Sequence, residues 1–333
     1  MLSCLACALG CSEQALTSTG RTRIELPVLT FEAPRGGLPV PMARGEAFQR
    51  GIVIGPLEAP DDEDEFKREQ VALLDHAVSV GATDLQLVLR WLQVDYTSVE
   101  IAPFDSVHDD LLTWLIDQAK RRKLRVLLTT RLAVENEGER AAQKLKPDNW
   151  EHWWWSYRRI VLHYARVAAT RKVSMYSVGS ELSSSESQTA TWRQLIKDVR
   201  KIYSGKLTYF AAAESFDKVG FWDALDVVGI SVAQDKPRSE AELISQLAPL
   251  TKKLGRSPKV KDLGFVLSEL GCGPSTPDSE RELICQRALY QSFHDESQLQ
   301  GVYVRPARIS SARGKAAHPA AEVVSHWYRK SKG

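Results

Sequence analysis

The sequence has no apolar run approaching the roughly 18–20 residues that a membrane-spanning helix requires. It also has little excess of either charge. Its 44 Lys and Arg stand against 42 Asp and Glu, a formal net charge of +2 over 333 residues. A nucleic-acid-binding domain would be clearly basic, so no nucleic-acid partner is expected. Neither G-x-G-x-x-G nor G-x-x-x-x-G-K-[ST] occurs, which removes the usual phosphate-cradling loops. The nucleophile elbow G-x-S-x-G is missing too, as is H-E-x-x-H, and in the body of the chain no paired Cys/His spacing suggests a metal. No metal and no other cofactor is therefore expected. What is present is ordinary globular chemistry, 43% apolar and 26% charged, which excludes a disordered or collagenous chain.

Cysteine is scarce in the body of the chain and crowded at its start. Cys4, Cys7 and Cys11 fall in the first eleven residues, leaving only Cys272 and Cys285 beyond. Ala8-Leu9-Gly10-Cys11 resembles a bacterial lipobox, in which the cysteine receives a lipid. On that reading residues 1–11 are a lipoprotein signal with Cys11 as the lipidation site. The body then faces the oxidising bacterial envelope or exterior, touching a membrane only through the lipid. An apolar N-terminus or a metal-binding C-x-x-C are the alternatives. Cys272 and Cys285 are read either as a pair or as free thiols. Residues 12–48, rich in Ser, Thr, Gly and Pro, read as a linker or extended lead-in.

From Gln49 to the end, short β-branched runs alternate with longer amphipathic ones. Gly51–Gly55 begins the series as a strand and Asp61–Val80 follows with helical spacing and an acidic first turn. Further strands are expected at Asp84–Arg90, Arg125–Thr130, Val173–Val178, Lys206–Ala211, Asp226–Ser231, Leu263–Ser268 and Gly301–Arg305. Helices are expected between them, with a short one near Asp217–Asp223 and a last one over Ala320–Arg329. Strands apolar on both faces and separated by helices belong to a parallel sheet covered on both sides. Eight such units at this length predict an α/β fold, a (β/α)8 barrel, over 49–333.

Active sites of such barrels lie at the C-terminal ends of the strands. Polar residues there include Arg90 and Trp91 after strand two, Arg131 after three, Ser180 and Glu181 after four, Gln234 and Asp235 beyond six, Glu269 at seven and Arg305 at eight. Two of them stand out. Glu181 ends Val178-Gly179-Ser180-Glu181-Leu182, and Glu269 ends Val266-Leu267-Ser268-Glu269-Leu270. Paired carboxylates across a sugar-sized cleft are the equipment of glycoside hydrolysis, one delivering a proton and the other attacking the anomeric carbon. A Glu at a strand end could equally bind an Arg or cap the next helix. Arg90 and Arg305 are open to two roles, a fork for an acidic sugar or a salt bridge steadying a glutamate.

The glutamate pair on strands four and seven resembles the large retaining clan of glycoside hydrolase barrels. The segment Tyr176–Ser231 resembles more closely the β-mannanase-like hydrolases of family 113. The carrying features are V-G-S-E-L at 178–182, W-R-Q-L-I-K-D-V-R-K-I-Y-S-G-K-L-T-Y at 192–209, F-W-D-A-L-D-V-V-G-I-S at 221–231 and S-E-L-G at 268–271. The resemblance implies Glu181 as general acid/base and Glu269 as nucleophile; the candidate substrate contacts are the further polar and aromatic residues Ser180, Arg90, Trp91, Arg131, Tyr209 and Arg305. It implies retaining cleavage of a β-linked, mannan-like polysaccharide or oligosaccharide by a monomer. The chain departs from the clan pattern at Ser180, where Asn is usual, at Ser231-Val232-Ala233, which lacks a Tyr, and at Val304-Arg305, where a Trp platform is usual. These departures leave a second expectation open, a catalytically weak or inactive carbohydrate-binding barrel.

Overall fold

The computed structural model describes residues 37–39, 44–103, 106–137, 140–233, 239–271, 279–305, 323–324 and 328. Cys4, Cys7, Cys11, Gln234, Asp235, Cys272 and almost all of the expected helix Ala320–Arg329 lie outside them. In chain order the elements are β1 (Gln49–Leu57), α1 (Glu63–Ser79), β2 (Asp84–Gln93), α2 (Asp109–Arg121), β3 (Arg125–Val134), α3 (Trp150–Thr170), β4 (Met175–Ser180) and α4 (Thr189–Arg200). They continue with β5 (Lys206–Ala212), β6 (Val228–Ala233), α5 (Glu240–Arg256), α6 (Pro258–Leu263), β7 (Phe265–Gly271), α7 (Ser279–Phe293) and β8 (Leu299–Val304). All neighbouring strands pair in parallel, and β8 closes on β1, giving one eight-stranded barrel.

Period-two alternation sorts the strand residues between lumen and helical layer. Val53, Val88, Leu127, Met175, Phe210, Val227, Val266 and Tyr303 form a separate buried cluster that fills the lumen. Residues of opposite parity, such as Leu87, Leu128, Val178, Tyr209 and Leu267, belong to the larger cluster against the helices. The helices start where the sequence supplies oxygen acceptors for their orphan amides. Asp62 accepts from the Asp64 and Glu65 amides, Asn149 from His152, and Ser239 from Glu242. The expected apolar face of α2, Leu111, Leu112, Leu115, Ile116 and Ala119, is wholly buried.

Two local differences from the sequence reading have simple causes. The expected helix near Asp217–Asp223 is instead two 3-10 turns, Phe216–Lys218 and Trp222–Ala224, too short to close α-helical bonds. The unexpected α6 starts on Pro258, whose missing amide hydrogen costs nothing at a first helical position. The lead-in is also structured before Gln49: the Arg44 guanidinium donates to the carbonyls of His294, Glu296 and Leu299, tying it beneath the α7–β8 turn.

Behind β4 and β5 stands an aromatic wall. Trp153 stacks on Tyr157 at 5.0 Å between centroids, Trp192 stacks on Phe221 at 5.0 Å, and Trp154 meets Trp192 edge-on at 5.1 Å. The polar tips of these rings hold the chain that leaves β4. Tyr157 Oη donates to the Val178 carbonyl, Trp192 Nε1 to the Ser185 carbonyl and Trp154 Nε1 to Gln188. Gly179 is obligatory at this wall, since a Cβ there would lie 2.6 Å from Tyr157 Oη and 3.0 Å from the Trp192 ring. Trp155, by contrast, is exposed on the outside with Arg159 over its ring.

Candidate active site

The two glutamates follow the same local geometry at two places on one rim. On β7, the Ser268 hydroxyl donates to Gln86 of β2, a contact that crosses the lumen. On β4, a register shift between Ser177 and Ser180 sets Ser180 opposite lumen-facing Phe210. In both strands the inward serine is followed by a glutamate in the left-handed region, Glu181 at φ +53° and Glu269 at φ +60°. A non-glycine residue held there costs on the order of 1–3 kcal/mol, and such positions cluster at functional sites. The local consequence is that each carboxyl leaves the direction that simple alternation would assign it.

Glu269 is 3% exposed. One carboxylate oxygen is bound by Arg131 and the other lies 3.1 Å from a guanidinium nitrogen of Arg305. Arg131 belongs to β3, diametrically across the barrel from β7, so this ion pair spans the mouth. Burial pushes the Glu269 carboxyl upward, but the two guanidinium charges outweigh it and hold the group below the ordinary carboxylate range. Glu269 is thus a buried, ionised carboxylate.

Glu181 has a different surrounding. It is 8% exposed and receives a 3.1 Å hydrogen bond from the Gln143 side-chain amide. Its backbone amide donates to the Phe210 carbonyl at 2.7 Å. It follows β4, next to the strand that carries Arg131, the residue that pairs with Glu269. Gln143 also lines a cavity of about 560 Å³ with Tyr96, Lys144, Leu145, Lys146 and Ser184, on the Glu181 side of the mouth.

The other sequence-predicted site residues divide. Arg131 and Arg305 converge on Glu269. Arg90 sits beside Arg131 in register but binds Glu58 at 2.9 Å near the surface. Ser180 is buried on the lumen side. Trp91 packs its ring edge against Tyr164 of α3, and Tyr209 lies fully buried against Trp192 and Phe221, so the structure places both in the helical layer and away from the lumen.

Two residues near Glu181 carried no sequence signal strong enough to single out. Gln143 sits on the 3-10 turn Ala141–Lys144 in the long β3–α3 connection, where no motif marks it. Glu186 follows the serine run at 183–185 and is 4% exposed. It accepts from Tyr209 Oη at 2.9 Å and from Ser215 Oγ at 3.3 Å. An acid five residues past a strand-end acid is the only available hint. Among the described residues no group of three or more His, Cys, Asp or Glu is placed to hold a metal ion. Cys285 is disulfide-bonded.

Comparison with known proteins agrees with this geometry. The family model for Glycoside Hydrolase Family 113 matches residues 63–283, more than half of the chain. Among solved structures, a β-mannanase of that family from Alicyclobacillus acidocaldarius, in complex with ManMIm, superposes with a TM-score of 0.70 at 20% identity, over 84% of this chain and 97% of that one. A β-1,4-mannanase of the same family gives 0.68 at 24% identity, over 84% and 98%. A family 2 β-galacturonidase from Eisenbergiella tayi bound to galacturonate gives 0.57 at 12% identity, over 84% of this chain and 50% of that one. At these identities the structural likenesses show the shared barrel. No curated protein matches the sequence.

Proposed function

Because this chain belongs to Glycoside Hydrolase Family 113, and is therefore a glycoside hydrolase, we propose that it cleaves a β-linked, mannan-like polysaccharide or oligosaccharide with retention of configuration. Glu269 is the nucleophile and Glu181 the general acid/base. The observation that carries this reading is the asymmetry between two buried glutamates on one rim. Glu269 is kept ionised by two arginines, as a group that attacks an anomeric carbon must be. Glu181 faces the neutral side-chain amide of Gln143 in place of a cation, and this contrast supports giving it the role of the group that donates and then takes a proton. Glu269 attacks and the glycosidic bond breaks as Glu181 protonates the leaving oxygen. Water, deprotonated by Glu181, then releases the sugar and restores Glu269. The β-mannanases of the same family, similar in fold, support the sugar class.

An activated 2-deoxy-2-fluoro mannoside tests the assignment. The expected result is a covalent adduct on Glu269, located by peptide mass spectrometry. An adduct elsewhere, or oligosaccharide binding with no release of reducing ends, overturns it.

The proposal includes a lipid on Cys11 and a place in the bacterial cell envelope. The lipobox-like Ala8–Cys11 supports this, and so does the disulfide at Cys285, since such bonds persist in oxidising compartments. Labelled fatty acid incorporated by the native chain and lost in Cys11→Ala is the expected outcome; equal labelling of both rejects the anchor.

A further inference from the structure

Glu186 has no place in the chemistry just described, yet it is among the most deeply enclosed acids of the protein. Its carboxylate sits behind the β4 end with no ion-pair partner among the described residues. One oxygen accepts from Tyr209 Oη and the other from Ser215 Oγ. Tyr209 Oη in turn accepts the backbone amide of Leu182 at 2.8 Å. Leu182 directly follows Glu181, whose left-handed backbone at φ +53° is an unfavourable conformation that only surrounding contacts can hold. The Phe210 carbonyl fixes the amide on one side of that residue, and the Tyr209 hydroxyl fixes the amide on the other.

We propose that Glu186 is a positioning residue for the reaction: through Tyr209 it clamps the Leu182 amide and so fixes the backbone from which Glu181 presents its carboxyl to the leaving group. This rests on the reading of Glu181 as the general acid/base. A buried tyrosine hydroxyl that accepts from an amide is oriented by what takes its own proton, and here that group is Glu186. The charge environment fits the role. Burial holds the Glu186 carboxyl above its ordinary range, and the neighbouring Glu181 adds to the effect. Hydrogen bonds from Tyr209 and Ser215 and the more distant Lys218 ammonium work the other way. Burial also keeps the Tyr209 phenol far above its ordinary value, so it remains a donor throughout the working pH range. The arrangement is sequence-local on one side, five residues from Glu181, and reaches the rest of the fold through β5.

The test separates positioning of the acid from general damage by varying the leaving group. Aryl β-mannobiosides carrying phenol need the proton, whereas those carrying dinitrophenol do not. Tyr209→Phe removes the bridging hydroxyl with little change in volume. Its expected effect is a fall in kcat/KM of about ten- to a hundredfold on the phenyl glycoside, with kcat/KM on the dinitrophenyl glycoside, which reports the step that needs no proton, within about twofold of native. Glu186→Gln keeps an acceptor for Tyr209 and is expected to lose less than Glu186→Leu, and Glu186→Leu combined with Tyr209→Phe to lose no more than Tyr209→Phe alone. Equal losses on both glycosides, or no loss beyond about twofold on either, overturn the proposal. Should a variant fold poorly by circular dichroism, Ser215→Ala, which removes only one bond to Glu186, reads the same leaving-group ratio. Glu181→Ala measured alongside distinguishes the two failures. If it shows no leaving-group dependence, the acid/base assignment falls and this proposal with it; if it does and Tyr209→Phe does not, only the clamp falls.

Discussion

The ends of β4 and β7 are built from nearly the same words, Val178-Gly179-Ser180-Glu181-Leu182 and Val266-Leu267-Ser268-Glu269-Leu270, and both turn their glutamate through a left-handed backbone. They differ in what surrounds the acid. At β7 the partners are charged and distant in sequence, one reaching across the barrel and one from the strand next door. At β4 the partner in front is a neutral amide from the β3–α3 connection, and behind lies the tyrosine that donates to the buried Glu186. Identical local sequence thus yields two chemical characters, because the electrostatics comes from other strands. A buried carboxylate flanked by two guanidinium groups is held in its ionised form, while the carboxyl at β4 faces a neutral amide.

The most severe way to break the comparison is to remove the β7 acid. Glu269→Gln is expected to lower kcat on the order of ten-thousand-fold on phenyl and dinitrophenyl glycosides alike, as measured by steady-state release of phenol. The corresponding β4 change, Glu181→Gln, is expected to lower kcat/KM about a hundred- to ten-thousand-fold on the phenyl glycoside and far less on the dinitrophenyl one. If the two variants showed the same leaving-group dependence, the assignment of different roles would fail.

Next in size is Arg131→Met, which leaves Glu269 buried with Arg305 as its remaining cationic partner among the described residues. Breaking one partner of a buried pair destabilises by about 3–5 kcal/mol, measurable by urea unfolding. The pH direction follows from the depressed Glu269 carboxyl. Its contribution to stability is fully present above the ordinary glutamate value and is lost as pH falls through the lower folded-state value. In the native protein the acid limb of activity therefore lies below the ordinary carboxylate range. In Arg131→Met that limb moves to higher pH, and Arg305→Gln moves it the same way by less, because Arg305 is the more exposed partner. An unmoved limb in both variants would mean that the arginines do not govern Glu269.

The same contrast explains what could be read from the chain alone. The eight-stranded barrel was legible because each strand is apolar on both faces and each helix carries a clear buried stripe, as in α2. The two glutamates were legible because barrel strands end where chemistry is done. Their partners were not. Closeness to a strand end alone suggests Trp91 and Tyr209 as ligand contacts, yet strand parity turns both to the helical layer, where Tyr164, Trp192 and Phe221 receive them. Gln143 and Glu186 belong to 3-10 turns and loop ends whose placement depends on the whole barrel closing. Gly179 belongs with these hidden constraints. Gly179→Ala drives a methyl into Tyr157 and Trp192 and is expected to destabilise by about 1–3 kcal/mol, whereas Leu267→Met, at the equivalent place on β7, is expected to cost less than about 1.5 kcal/mol because it nearly conserves volume. Thermal unfolding of the pair measures how much more tightly the β4 end is packed.

The smallest change sharpens the comparison most. Gln143→Leu removes the one neutral donor to Glu181 while leaving the arginines at Glu269 intact. A single hydrogen bond contributes about 0.5–1.5 kcal/mol, so stability should barely move and kcat on the phenyl glycoside should fall by no more than about tenfold. Because Gln143 also lines the cavity with Tyr96 and Lys144, and the proposed function would seat the leaving-group portion of a longer chain there, the variant should raise KM for longer oligosaccharides more than for aryl glycosides. The acid limb set by Glu269 should stay where it is. A shift of that limb would show that the two ends of the rim are electrostatically coupled, and that the division of labour between a charged and a neutral surrounding is drawn too sharply.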